Sequence, residues 1–315
     1  MPPLHVRTPL LESRPLSHAS GATVWVKMES VQPTGSFKIR GIGHACQTYV
    51  ERGATRLVAS SGGNAGLAVA YAGRKLGVPV TVVVPESTTD RAQSLIRAEE
   101  AQVIVAGDTW NEAHEHAQRR MSDDAAYLHP FDDPLLWDGH ASIVREIAEA
   151  GVTPDVVVVS VGGGGLFCGV VQGLRDQGWA DVPVVAVETQ GSHSLRAALD
   201  AGAPVRLDGI TSVATSLGAK QVGAQTFALA QEHPTESVVV SDATAVDACV
   251  RVLDDHRQLV EPACGAALAV AYDGHPALPA GGTVVVIGCG GAGVTRRTLQ
   301  EWQKRVATPQ PEEGA

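Results

Sequence analysis

Short apolar runs alternate with amphipathic stretches along nearly the whole chain. Runs rich in β-branched residues at Thr23–Met28, Arg56–Ala59, Val80–Val84, Val103–Val105, Asp155–Val161, Val182–Val187, Ser237–Val240 and Thr283–Ile287 predict strands. Between them, Asn64–Leu76, Ala92–Glu99, Leu135–Ala150, Gly165–Gln177, Ala243–Asp254 and Val294–Val306 show helical periodicity with one apolar face. The strand runs do not alternate, so both faces of each sheet are expected to be covered. That pattern implies parallel sheets flanked by helices, an α/β protein.

At 315 residues the chain can bury roughly three-quarters of the surface its unfolded form exposes, so the core needs no disulfide or metal staple. The clearest breaks are Asp132-Asp133-Pro134 and His275–Gly282, and the Pro- and Glu-rich Thr308–Ala315 is expected to fray. A net charge of −10 repels phosphate polymers, which excludes general nucleic-acid binding. No segment approaches 18 consecutive apolar residues, and Met1–Leu16 lacks an apolar signal core, so no membrane association is expected and a cytoplasmic location is. Five cysteines without a C-x-x-C pair agree with a reducing compartment. His114 and His116 are spaced i,i+2, which turns them apart on a helix and predicts a solvated face rather than a metal site.

Glycine meets polar chemistry at four places. Pro33-Thr34-Gly35 forms a turn before Ser36, which is placed to cap the next helix, and this puts Lys38 in that helix's first turn. The macrodipole disfavours a cation there, so Lys38 is expected to have a lowered pKa if it is partly buried. The segment alone fits a reactive amine and an ordinary surface lysine equally. Ser60-Ser61-Gly62-Gly63-Asn64 follows a strand and opens a helix; it suits a carboxylate or phosphate, or is a plain turn with serine caps. Gly162-Gly163-Gly164-Gly165 forfeits more backbone entropy than a turn requires. Close approach of a phosphate to a helix N-terminus explains it. With no lysine following, a cofactor monophosphate fits better than a nucleoside triphosphate. Gly288, Gly290 and Gly293 satisfy G-x-G-x-x-G, but the 22 residues after Gly293 carry one helical pattern and no second strand with an acid. That places Cys289 at a strand end, either facing a crevice or as a small buried thiol.

These four segments, in this order, resemble the tryptophan-synthase-β-like (fold type II) pyridoxal-phosphate enzymes, and the chain as a whole is similar to serine/threonine dehydratases of the L-serine ammonia-lyase kind. Arg7-Thr8-Pro9-Leu10, Pro130-Phe131-Asp132-Asp133-Pro134, Gly223-Ala224-Gln225 and Val260–Ala266 extend the likeness to all but the acidic tail. The resemblance implies two doubly wound α/β domains with the cofactor in the cleft between them. Residues 1–36 with 134–307 would form the larger and 37–133 the smaller. It implies pyridoxal 5'-phosphate, with Lys38 as Schiff-base lysine and general base, Phe37 against the ring face, and Gly162, Gly163, Gly164 and Gly165 on the phosphate. Asn64 would bond the ring hydroxyl and Cys289 would face the ring nitrogen. Ser60, Ser61, Gly62 and Asn64 would bind the small amino-acid substrate. A monovalent cation such as potassium would sit at Gly162, Glu188, Ser192, Ser216, Leu217 and Ala219; from the residues alone, Glu188 reads equally as a strand-end cap. The implied reaction is β-elimination of L-serine, and of L-threonine, to a 2-oxo acid and ammonia, by a homodimer.

Gly62 departs from two branches of that family. Serine dehydratases carry alanine there, and serine racemases a serine that acts as acid/base. Gly62 is therefore expected to leave enlarged space and no second base at that point. A β-replacement enzyme of the cysteine-synthase type is the same-fold alternative, and a non-catalytic nucleotide-binding or regulatory protein is the alternative of a different class.

Overall fold

The computed structural model describes residues 1–307. The chain runs β1 (Leu10–Glu12), α1 (Arg14–Ser20), β2 (Thr23–Met28), α2 (Lys38–Glu51), β3 (Arg56–Ala59), α3 (Asn64–Leu76), β4 (Val80–Val84) and α4 (Asp90–Ala98). It continues through β5 (Gln102–Val105), α5 (Trp110–Gln118), β6 (Ala125–Leu128), α6 (Pro134–Glu149), β7 (Val156–Ser160), α7 (Gly165–Asp176), β8 (Val184–Thr189) and α8 (Ser194–Ala201). The last elements are α9 (Ala224–Glu232), β9 (Thr235–Val240), α10 (Asp242–His256), α11 (Pro262–Tyr272), β10 (Thr283–Gly288) and α12 (Arg296–Ala307).

Two sheets organise these elements. A six-stranded sheet has the order β1-β2-β10-β7-β8-β9, and a four-stranded sheet has the order β5-β4-β3-β6. Every pairing is parallel except β1 with β2. The unalternating apolar runs have the predicted consequence: every residue of β7 and β8 is buried. One core surrounds the larger sheet; a second joins α2 and α3 to the smaller sheet and takes in Leu136 from α6. The smaller sheet's other face has its own cluster of Val58, Val83, Ala113 and Ala117. The predicted tail, Thr308–Ala315, lies outside the described residues.

Several elements depart from the periodicity-based expectation, each for a local reason. Strand β7 starts after Asp155, whose carboxylate instead accepts the Thr283 N–H at 2.7 Å. Strand β8 begins at Val184 and extends through Thr189, past the expected end. Strand β6 was not signalled because Ala125-Ala126-Tyr127-Leu128 has no β-branched residue. Helix α11 was missed because every one of its residues is buried, leaving no polar face to give a period.

Ser36 does not cap α2. The N-cap position is Phe37, already in helical backbone with no side-chain cap bond, while Ser36 bridges the backbone of Gly290. This bridge ties the start of α2 to the loop after β10. Farther along, α2 crosses α6 at unusually short range. A Cβ on Gly41 would lie 2.5 Å from the Leu136 carbonyl, and one on Gly139 would lie 2.5 Å from the Arg40 carbonyl. The two glycines thus fix where Lys38 and Arg40 project.

Candidate active site

Lys38 is the first residue of α2. Its turn is held against the 289–292 loop: the Phe37 N–H donates to the Cys289 carbonyl at 3.1 Å, and the Gly291 N–H donates to the Gly35 carbonyl at 2.8 Å. The Lys38 ammonium donates to the Pro130 carbonyl at 2.6 Å and lies 5.0 Å from the centre of the Phe37 ring. Burial lowers its pKa to about 8, against the opposing pull of Cys289 and Glu261. The lowered value was expected, but burial rather than the macrodipole is its main cause. The half-buried Lys38 side chain and its bond to the Pro130 carbonyl set it apart from an exposed surface lysine.

Pro130 leads directly to the glycine tetrad. Phe131 fills the space beside Gly163 and Gly165, where a Cβ on Gly165 would come within 2.6 Å of the Phe131 carbonyl. Gly164 has φ +95°, and the Thr226 side chain occupies the place a Cβ would take. A Cβ on Gly162 would lie 2.9 Å from Leu217 Cα. The N–H groups of residues 162–165 find no backbone acceptor among the described residues. They lie at the N-terminus of the twelve-residue α7, where the macrodipole favours an anion.

Asn64 opens α3 and is oriented by two bonds. Its Nδ2 donates to Glu261 Oε1 at 2.8 Å, and its Oδ1 accepts the Ala292 N–H at 2.9 Å. One Nδ2 hydrogen is left for a ligand. Glu261 is the functional residue that sequence reasoning missed, although it stands in the quoted Val260–Ala266 segment. An acid directly before an apolar helix begun by Pro262 was the available signal. Burial pushes its carboxyl up to about 7, while Ser216, Asn64 and Lys38 oppose the shift. Gly291, at φ +144°, leaves the space the Glu261 side chain fills.

Cys289 is buried just beyond β10. Its thiol is raised well above the ordinary range, first by a hydrogen bond with Cys264 and then by burial, so it remains neutral. Phe37 is half-buried with its ring 4.9 Å from that of His140. His140 Nε2, Thr34 Oγ1 and Ser36 Oγ are buried without a hydrogen-bond partner among the described residues.

Loop 60–63 differs from expectation in detail. The Ser60 hydroxyl is fully buried and bonds the Tyr127 hydroxyl at 2.6 Å, which in turn bonds His114 Nδ1 at 2.6 Å. Ser60 is therefore turned toward β6, away from the role expected of it, and its partner Tyr127 supplies the reason. His114 is correspondingly half-buried and stacked on Trp110, not part of a solvated face. Ser61 Oγ accepts the Gly63 N–H at 3.3 Å and keeps its own hydrogen free to donate. Beside Gly62 the space is not enlarged: Thr88 fills it, with its Cγ2 2.5 Å from where a Cβ on Gly62 would stand.

Among the residues expected to hold a cation, Glu188 accepts the Leu195 and Arg196 N–H groups, each at 2.8 Å, and so caps the first turn of α8. Burial pushes it up to about 7 against those two bonds. The Ser192 hydroxyl donates to the Leu217 carbonyl at 2.8 Å, as does the Ala219 N–H, and Gly162 lies against Leu217. The Ser216 hydroxyl departs from this group and pairs with Glu261. The described residues contain no cluster of three or more His, Cys, Asp or Glu suited to a metal ion. None of their helices is long and apolar enough to cross a membrane.

Comparison with known proteins agrees with this arrangement. The family described as "Pyridoxal-phosphate dependent enzyme" matches residues 2–290. A mouse (Mus musculus) "Serine dehydratase-like" protein is 52% identical over 309 residues, covering 95% of this chain and 94% of its own. A human (Homo sapiens) "L-serine dehydratase/L-threonine deaminase" is 48% identical over 316 residues, covering 96% of each. Among solved structures, a fungal L-serine ammonia-lyase from Rhizomucor miehei superposes with a TM-score of 0.90 at 38% identity, covering 96% of this chain and 99% of its own.

Proposed function

We infer the function of this chain from the family to which it belongs, the pyridoxal-phosphate dependent enzymes, and from the chemistry gathered around Lys38. The chain is a lyase that removes ammonia from L-serine, and from L-threonine, to give pyruvate or 2-oxobutyrate; the water lost in β-elimination is regained when the resulting imine hydrolyses. One observation carries the reading. Lys38 is an amine lowered to about 8 and pinned at the Pro130 carbonyl, whose neighbour Phe131 lines a cradle of free backbone N–H groups.

The residues fit the cofactor. Gly162 to Gly165 would receive its phosphate on their amides, the spare Nδ2 hydrogen of Asn64 would meet its ring hydroxyl, and Phe37 and Cys289 would border the ring. When bound, pyridoxal phosphate supplies the electron sink that acidifies the Cα–H of an amino acid. The chain's part is to place the substrate and move its protons. Ser61 and the first-turn amides of α3 receive the substrate carboxylate. Lys38, neutral in a substantial fraction near pH 8, takes the Cα proton as general base. Cys289, held neutral, would offer no negative charge to the ring it would border. Gly62 provides no second base.

Glu188, Ser192, Leu217, Gly162 and Ala219 are proposed to hold a monovalent cation through oxygen ligands. The buried, unpartnered Ser194 Oγ at the same end of α8 and the burial of Glu188, only partly offset by its two N–H bonds, support that site. Residues 37–133 are proposed as the smaller domain, and a homodimer as the assembly.

The test is the visible absorption of the protein supplied with pyridoxal phosphate, before and after L-serine is added. A yellow band that changes while pyruvate accumulates is the expected result. A band indifferent to serine would discard the deaminase, and a protein that stays colourless would discard the role of Lys38. Equal rates in potassium and in a bulky organic cation would remove the cation.

A further inference from the structure

Gly62 and Thr88 face one another beyond the ends of neighbouring parallel strands. Loop 60–63 follows β3 and Thr88 follows β4, and these strands pair with Leu57 opposite Val80 and Ala59 opposite Val82. In open α/β sheets ligands sit beyond such carboxyl ends. A Cβ on Gly62 would lie 2.5 Å from Thr88 Cγ2 and 2.6 Å from Thr88 Oγ1. Gly62 is not in the left-handed region, so its backbone does not require glycine. It is the Thr88 side chain that leaves no room for another.

Thr88 is also held in place. Its N–H donates to the Pro85 carbonyl at 3.0 Å, and its carbonyl accepts Gln93 Nε2 at 2.9 Å. The next residue, Thr89, caps α4 through its side chain. A β-branched side chain on so fixed a backbone has little rotamer freedom. Yet its hydroxyl has no hydrogen-bond partner among the described residues. A half-buried hydroxyl fixed against loop 60–63, with no protein partner, keeps its hydrogen available to a ligand.

We propose that Thr88 is a substrate-contacting, specificity-determining residue. Its hydroxyl donates to the carboxylate of the amino acid held by loop 60–64, and its methyl bounds the room beside the substrate's β-carbon. The proposal rests on reading that loop as the amino-acid site. It assigns to the loop after β4 the side chain that residue 62 lacks, and gives hydroxyl and methyl separable tasks.

Two variants of the holoenzyme separate those tasks. The probe for binding is L-alanine, which has no β-leaving group, titrated by calorimetry. Thr88→Val keeps the volume and loses the donor, so L-alanine should bind roughly tenfold more weakly, the size of a lost hydrogen bond to a charged group. Thr88→Ser keeps the donor and loses the methyl. L-alanine affinity should then hold, while kcat/KM for L-threonine relative to L-serine rises roughly tenfold. Unchanged L-alanine affinity in Thr88→Val, or an unchanged substrate ratio in Thr88→Ser, overturns the assignment. If the unsubstituted holoenzyme binds L-alanine but forms no 2-oxo acid from L-serine, the deaminase reading fails. The affinity of Thr88→Val then still decides the case of Thr88.

Discussion

Lys38 and Arg40 stand two residues apart on the same helical turn and live in opposite polar environments. Arg40 is fully buried, and its guanidinium makes six hydrogen bonds, to Glu29, Glu146, Ser142 and Thr8. Lys27 closes the cluster with bonds to Glu146 at 2.5 Å and to the Thr8 carbonyl at 2.7 Å. Burial alone would lower Arg40, but the two carboxylates raise it above its ordinary value. Glu146 is likewise held at about 2 despite burial, by Arg40 and Lys27. Lys38 has one acceptor for three hydrogens and is lowered, and close to its turn Thr34, Ser36 and His140 keep buried polar atoms unpaired. Saturated polar groups are fixed and chemically silent; unsaturated ones keep capacity for a ligand, at a cost the fold must meet elsewhere.

The largest expected effect is on turnover. Lys38→Ala should lose roughly 10²–10⁴-fold in 2-oxo acid formation from the missing general base alone. Its melting temperature should not fall, because the variant sheds a buried, poorly paired ammonium. A melting point lowered as far as that of an Arg40 variant would erase the contrast between the two sites. Arg40→Ala should behave in the opposite sense. It strands Glu29 as a buried carboxylate with no cation and leaves Glu146 with Lys27 alone, and breaking such a buried pair costs about 3–5 kcal/mol. Denaturant unfolding checks this, and a loss below about 1 kcal/mol would show that the network is not what locks α2 to the N-terminal segment.

The same contrast explains what was legible in the sequence. Strand runs, the glycine tetrad and Lys38 are written locally: each is a contiguous pattern whose cause lies within a few residues. Glu261, Tyr127 and Thr88 are not. Each matters because of a partner far along the chain or across a sheet: Glu261 meets Asn64 197 residues away, and Tyr127 meets Ser60 across 67 residues. The meaning of Gly62 was misjudged for the same reason, since whether a missing side chain leaves space depends on Thr88. Arg40 likewise owes its burial to Gly41 and Gly139, which let α2 and α6 touch.

Glu261 provides the finest test, because it belongs to the unsaturated region yet is itself bonded. Its folded pKa of about 7 lies above the ordinary carboxyl value of 4.5. Between those values the folded protein binds the extra proton, so the Glu261 contribution to stability falls as pH rises from about 4.5 to about 7. Glu188, also at about 7, acts with the same sign. His5 and His129, both lowered by burial to about 4, act with the opposite sign, favouring the folded state as pH rises through their window to 6.5. Absolute stability thus mixes these slopes, and only a difference isolates one group. Glu261→Gln retains an oxygen for Asn64 Nδ2 and removes the titration. Its stability relative to the parent should climb between pH 4.5 and 7 by up to about 3 kcal/mol, and stay level on either side. A difference that is flat across that interval would mean that Glu261 is as well compensated as Glu146, and that the boundary between silent and poised polar groups lies closer to Lys38.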